Sequence, residues 1–282
     1  MKKLIVNADD FGRHISVNRA IIQGHETGCI TSASLMPGGE AFDDAVAKAA
    51  AHPDLGIGVH LTLIGEKPVL DPAKIPSLVD EKGRLFQEYP QFLPRFLRGQ
   101  IKLDDVRTEL TAQMEKIAAS GLPITHIDSH QHLHVLPGVI DIVLELAQQH
   151  NITALRAPVV PLSFTGGYPQ QLGQFVKRAG LVFLARLARA KARKRGFRVP
   201  DHFFGIVAGG SLREECMVDI VRNLPDGVSE VMVHPGDDDH VLSAECGWAH
   251  PFEEELAAVM SAQVLTLVRE KEIQLVSFRE AR

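Results

Sequence analysis

Short apolar runs that end in polar residues recur along this chain, each followed by a stretch with helical spacing, and that alternation limits the fold to a few α/β architectures. The first run, Leu4-Ile5-Val6-Asn7-Ala8, leads into Asp9 and Asp10 and then a helix over 17–27. Further strands are expected over 32–36, 55–63, 125–130, 154–157, 203–207, 228–234 and 273–278. Between them the spacing predicts helices over 41–51, 103–119, 139–149, 172–195, 213–223 and 252–271. An irregular insertion with five prolines interrupts the pattern near 65–100. Seven or eight strands separated by helices favour a parallel sheet closed into an irregular TIM-like (β/α) barrel, a single α/β domain over residues 1–282. The competing architecture is an open doubly wound sheet. Its nucleotide-binding form is disfavoured, because the turn Ala8-Asp9-Asp10-Phe11-Gly12 has acids where a phosphate loop needs glycines and backbone donors.

Composition narrows the class further. With 45% apolar and 23% charged residues the chain is neither disordered nor a disulfide-stapled miniprotein. Thirty Lys and Arg against 35 Asp and Glu give a net charge of −5, so no global basic excess argues for nucleic acid. Cys29, Cys216 and Cys246 are widely spaced and read as reduced thiols. The N-terminal apolar run meets Asp9 too soon for a signal peptide, and no run approaches the roughly 18 apolar residues of a membrane span, so a cytoplasmic protein is expected.

Polar residues gather at the ends of the predicted strands. Asp9 and Asp10 follow the first, His60 lies late in the third, and Asp128, His130, His132 and His134 close the fourth. Arg156 lies late in the fifth, and His234 follows Val231-Met232-Val233. In barrel enzymes the active site lies at this rim. Adjacent acids at a strand end either make a turn or divide labour, one binding a metal and the other taking a proton from its water. In an extended segment, alternation puts His130, His132 and His134 on one face. Three imidazoles at that spacing are rarely a packing solution, since each buried ring needs polar partners. Metal binding by at least one is expected, and an Asp with two His is a usual set for a divalent ion that activates water.

Val6-Asn7-Ala8-Asp9-Asp10-Phe11-Gly12, Gly58-Val59-His60-Leu61, residues 125–134 and Val233-His234-Pro235-Gly236 together resemble the YdjC-like carbohydrate deacetylases and run in family order. Lys67-Pro68-Val69-Leu70, Asp201-His202-Phe203-Phe204-Gly205 and Gly247-Trp248 look like the hopanoid biosynthesis-associated branch, HpnK. The resemblance implies an irregular (β/α) barrel that removes an acetyl group from an N-acetylated amino sugar with one divalent metal ion. In the narrower branch the substrate would be a glycolipid, an N-acetylglucosaminyl hopanoid. It also implies Asp10, His60 and His130 as metal ligands and Asp9 as general base; magnesium follows from the family, whereas zinc suits the softness of the ligands. The departing amine needs an acid, and His234 is the candidate, an imidazole of ordinary pKa ~6.5. His132 and His134 are expected to orient the ligands from behind, and Arg156 either to meet sugar hydroxyls or to form a structural ion pair. Deacetylation of soluble chitooligosaccharides, hydrolysis of another amide or ester, and a non-catalytic saccharide-binding barrel are the rival readings.

Asp237-Asp238-Asp239-His240 reads as a solvated turn and Glu253-Glu254-Glu255 as first-turn helix charge. Trp248, the only tryptophan, reads as a packing anchor before it reads as a sugar contact. The amphipathic segment near 172–198 carries nine basic residues and no acid from 177 onward. It suits a barrel helix first, and a helix at the inner membrane face as the sharper alternative. The sequence leaves a homo-oligomer open.

Overall fold

The computed structural model describes residues 1–164, 166, 172–206 and 212–280. The chain runs through β1 (Lys2–Phe11), α1 (Ile15–Thr27), β2 (Ser32–Leu35), α2 (Phe42–Ala51) and β3 (Gly56–Leu61). It continues with α3 (Tyr89–Leu97), α4 (Leu103–Ala119), β4 (Ile124–Ser129), α5 (Val139–Gln149) and α6 (Leu172–Lys194). Last come β5 (His202–Phe204), α7 (Glu214–Arg222), β6 (Gly227–Val233), α8 (Asp239–Cys246), α9 (Phe252–Met260), α10 (Ala262–Glu270) and β7 (Gln274–Leu275). The expected alternation is present, with α3 as added order inside the proline-rich insertion. Glu109, fully buried on α4, pins that insertion by accepting the amides of Val69 and Leu70 at 2.8 and 3.2 Å.

The strands are parallel, in the order β4-β3-β2-β1-β6-β5. β6 pairs with β1 from Lys2 to Ala8, while β2 engages β1 only from Asn7 onward. β7 fills the stretch that β2 leaves, pairing with Lys3 and Leu4. Both faces of β1 are covered, so Leu4, Ile5, Val6 and Ala8 are all fully buried, as parallel strands between helices require.

The irregular (β/α) barrel expected from the sequence takes the form of a parallel half-barrel. Residues 154–157 form no strand; the remaining arc is spanned by the single bridges Ile127–Leu155 and Ala154–Arg198. Pro158 lies three residues after Leu155 and Pro200 two after Arg198, and proline has no N–H to extend a ladder. Of the strand expected over 203–207, Val207 lies outside the described residues. The helix expected over 252–271 is two helices, because Ser261 takes an extended ψ of 127° and its hydroxyl caps Gln263 and Val264. Asp237 to Asp239 form no loose turn either: Asp237 pairs with Arg19 at 2.6 Å, and Asp238 caps α8 through the Val241 amide.

The extended reading of residues 130–134 is also corrected. β4 stops at Ser129, and His130–Val135 winds as 3₁₀ turns with Gln131 and His132 at left-handed φ of 51° and 60°. The three histidines therefore diverge instead of sharing one face.

His126 lies beneath the strand ends, stacked on Phe278 at 3.8 Å, with its nitrogens 2.8 Å from Thr125 Oγ1 and 3.2 Å from Ser34 Oγ. A Cβ at Gly58 would stand 2.3 Å from its ring, so glycine is needed where the strands approach. Burial dominates and, against the Asp128 charge, pushes the imidazole from 6.5 down to about 3. A depressed folded value means stability that is present above 6.5 and lost as pH falls toward 3. Between about pH 7.5 and about pH 5 the wild type should lose about 2 kcal/mol more than His126→Gln in urea unfolding. Identical pH dependence in the two proteins would show that His126 is not buried neutral.

Candidate active site

The site begins with one surplus residue in β1. Ala8 pairs with Ala33 and Phe11 with Leu35, three steps against two, so β1 bulges between them. Asp10 absorbs the bulge at φ 63°, a left-handed conformation that side-chain-bearing residues adopt at a cost. Neighbours on a regular strand face opposite sides. Here Asp9 and Asp10 both come within reach of His60.

Asp10 Oδ1 lies 3.3 Å from His60 Nε2 and 3.1 Å from His130 Nδ1, and one donor atom from each of the three residues falls within 4.8 Å of the others. His60 stands opposite Asp128 in the β3–β4 register and donates from Nδ1 to Asp128 Oδ1 at 2.7 Å. That bond fixes the ring and leaves Nε2 buried without a hydrogen-bond partner, aimed at Asp10. An orphaned imidazole nitrogen beside a second imidazole and a carboxylate fits a divalent cation, with Asp128 as the outer carboxylate that orients one ligand. Burial opposes charge on His60, but Asp128 and Asp9 outweigh it and push the imidazole up to about 10.

Arg156 is fully buried under these groups. It donates to both oxygens of Asp9 at 2.6 Å each, reaches Asp128 at 3.0 Å and donates to Glu230 at 2.6 Å. Asn7 adds a bond to Asp9 at 2.9 Å and one to Ser34, which itself donates to Asp128 at 2.7 Å. Burial disfavours the charge of Asp128, yet Arg156 and His60 hold it well below the usual carboxylate range. Glu230 goes the other way, to about 7, because burial exceeds the help from Arg156. The guanidinium thus forms the buried ion pair and has no exposure with which to meet a sugar.

His134 bonds Ser129 Oγ at 2.7 Å and the Arg156 carbonyl at 3.0 Å, steadying the network one layer below the ligands. His132 packs edge-on to Phe203 at 5.8 Å, and burial holds it well below its ordinary value. Among the described residues neither hydrogen-bonds Asp10, His60 or His130; the contact that orients His60 comes from Asp128. His234 directly follows β6. Its amide donates to Glu255 Oε2 at 2.5 Å, and its Nδ1 lies 3.9 Å from that oxygen. Burial lowers the His234 imidazole, with Glu255, Asp9 and Asp10 opposing. At the rim Arg13 holds Asp10 at 3.1 Å and Glu66 at 2.8 Å.

Sequence reasoning placed Asp128 at the strand end without giving it a role, although its position two residues before His130 was a usable signal. Glu230, Glu255 and Arg13 carried no local pattern that would have singled them out.

Asp128→Asn should weaken binding of a divalent cation by about 10–100-fold, the usual cost of losing a carboxylate behind a histidine ligand. Calorimetric titration with magnesium and with zinc measures this; an unchanged affinity would remove Asp128 from ligand orientation.

The family model for YdjC-like proteins matches residues 3–270. A carbohydrate deacetylase of Brevibacillus brevis is 36% identical over 284 residues, covering 99% of each chain. A chitooligosaccharide deacetylase of Serratia marcescens is 34% identical over 67% of this chain and 76% of its own. A crystal structure from Enterococcus faecalis V583, of a protein named for cellobiose-phosphate cleavage, superposes with a TM-score of 0.76 at 27% identity, covering 98% of this chain and 97% of the other. With its sequence matched over nearly its full length and its fold shared, the chain belongs to the YdjC-like family.

Proposed function

We propose that this chain is a cation-dependent carbohydrate deacetylase that hydrolyses the acetamide of an N-acetylated amino sugar. The observation that carries the reading is the orphaned His60 Nε2, converging with Asp10 and His130 beside the carboxylate of Asp9. The names of the Brevibacillus and Serratia relatives supply the substrate class. A divalent cation on Asp10, His60 and His130 supplies Lewis acidity toward the acetyl carbonyl and acidifies water. Magnesium is the family expectation, and the donor set also suits zinc.

The side chains supply the proton traffic. Asp9 accepts two bonds from Arg156 and one from Asn7, which fix its plane and leave acceptor capacity for one proton of the attacking water. The water oxygen joins the acetyl carbon as one of its protons passes to Asp9, the C–N bond breaks as protonated His234 gives its proton to the amine nitrogen, and the acetic acid formed releases the remaining water proton to solvent. The products are acetate and a free amino sugar. Arg156 keeps Asp9 in place throughout and touches no substrate.

A lipid-linked sugar is the second reading, favoured by α6. Leu172, Val176, Phe183 and Leu187 form one stripe on this helix and are 80%, 60%, 62% and 54% exposed. Val182, Ala185, Ala188 and Ala192 pack inward on the other side. Ion pairs to Asp141 and Asp201 engage Lys191, Arg193 and Arg195, so the exposed Lys177, Arg186 and Lys194 flank the stripe. Among the described residues no helix is long and apolar enough to cross a membrane, and this stripe suits contact with a bilayer surface.

Mass spectrometry of N-acetylated glycans and glycolipids should show loss of one acetyl group, dependent on added cation. Asp9→Asn should retain cation affinity and lose about 10²–10⁴-fold in kcat. Parallel loss of both would assign the ligand role to Asp9. Cosedimentation with anionic vesicles at low salt, lost at high salt, is expected if α6 meets a membrane; indifference to anionic vesicles leaves soluble chitooligosaccharides as the substrates.

A further inference from the structure

Resting on the saccharide reading above, we infer that Trp248 is the stacking platform for the pyranose ring beside His234, and that Glu255 and His250 brace it. Trp248 follows α8, which Gly247 ends at a left-handed φ of 64°. It is 37% exposed, so it does not serve as the buried anchor that a lone tryptophan suggests. The buried member of the pair is His250, whose ring stacks under the indole at 4.0 Å and 25°. Phe252 meets the indole edge-on at 5.4 Å, and His234 does so at 5.2 Å and 89°.

The brace comes from α9. Glu255, in the first turn of α9 as the sequence suggests, is buried and accepts the amides of Leu212 and His234 at 2.9 and 2.5 Å. Its Oε1 stands 3.0 Å from His250 Nε2, within ion-pair distance but outside hydrogen-bond geometry, so the carboxylate holds the His234 backbone and lies against the His250 ring that stacks on the indole. The opposite side of the mouth is tied in as well. Arg13, which grips Asp10 at 3.1 Å, also donates to the carbonyl of Cys246 at 3.4 Å, two residues before Trp248. The indole is therefore fixed relative to both the proposed proton donor and one proposed cation ligand.

A pyranose presents apolar C–H faces and hydroxyl edges. A rigid, partly exposed aromatic ring next to a few fixed polar groups matches that division. The N-acetyl nitrogen must come to His234, so the ring that carries it, or the ring linked to it, lies against the indole.

Trp248 is the only tryptophan of the chain, so its emission reports contact directly. Asp9→Asn protein loaded with magnesium is titrated with diacetylchitobiose and triacetylchitotriose. The expected result is a saturable change in tryptophan emission, with a midpoint near the wild-type KM. Trp248→Ala should raise KM by about three- to tenfold, the size of one lost aromatic contact, with the loss falling on KM more than on kcat. Trp248→Phe, which keeps a ring, should recover most of it. Deacetylation by the wild type with silent emission and an unchanged KM in Trp248→Ala overturns the platform and leaves the enzymatic reading standing. Silent emission with no deacetylation of any glycan overturns both.

Discussion

One buried guanidinium holds together buried carboxylates from the strands of this protein. Arg156 carries a single positive charge among Asp9, Asp128 and Glu230, with Asp10 close by on the same strand as Asp9. Breaking a buried pair of this kind by removing one partner typically costs about 3–5 kcal/mol, because the other charge stays behind uncompensated. The cluster is also unbalanced, with more carboxylates than cations. That excess lifts His60 to about 10, and burial brings Glu230 to about 7. Both shifts recruit protons to a place where negative charge is expensive. A divalent cation answers the same demand, so cation and protons compete for one electrostatic deficit.

The parallel topology turns this cluster into a site. Strands that run the same way end on the same side, so groups far apart in the chain meet without long loops to order them. β1 contributes the two aspartates, β3 contributes His60, β4 contributes Asp128, and the turn after β4 contributes His130. The facing wall, from His234 to Trp248 and His250, is aromatic. The polar cluster and the aromatic cluster thus come from different elements, the first from β1, β3 and β4 and the second from the chain after β6.

Much of this was legible in the residues because the signals were local. Apolar runs ending in Asp9-Asp10, His60 and Asp128 marked both the strands and their common rim. Less legible was anything decided by tertiary contact. Left-handed φ at Gln131 and His132 replaced an extended alternation, and the strand suggested over 154–157 is reduced to single bridges at Ala154 and Leu155. Ser261 divided one helical pattern by capping its second half. Glu255 resembled its exposed neighbours Glu253 and Glu254 in sequence, and only the packing of α9 against His234 and His250 distinguishes it.

The surplus residue between Ala8 and Phe11 also constrains how this chain can vary in length. Its carboxylates are aimed by backbone register, clamped by β6 along one edge and by β2 and β7 along the other. Removing one residue there would restore strict alternation and turn one aspartate away from the rim. Insertions and deletions are therefore excluded from β1, while the segment near 65–100 lies outside the ladder and has room for them. Changes of length among chains built on this plan should collect in that segment beyond Glu66, away from the register that aims Asp9 and Asp10.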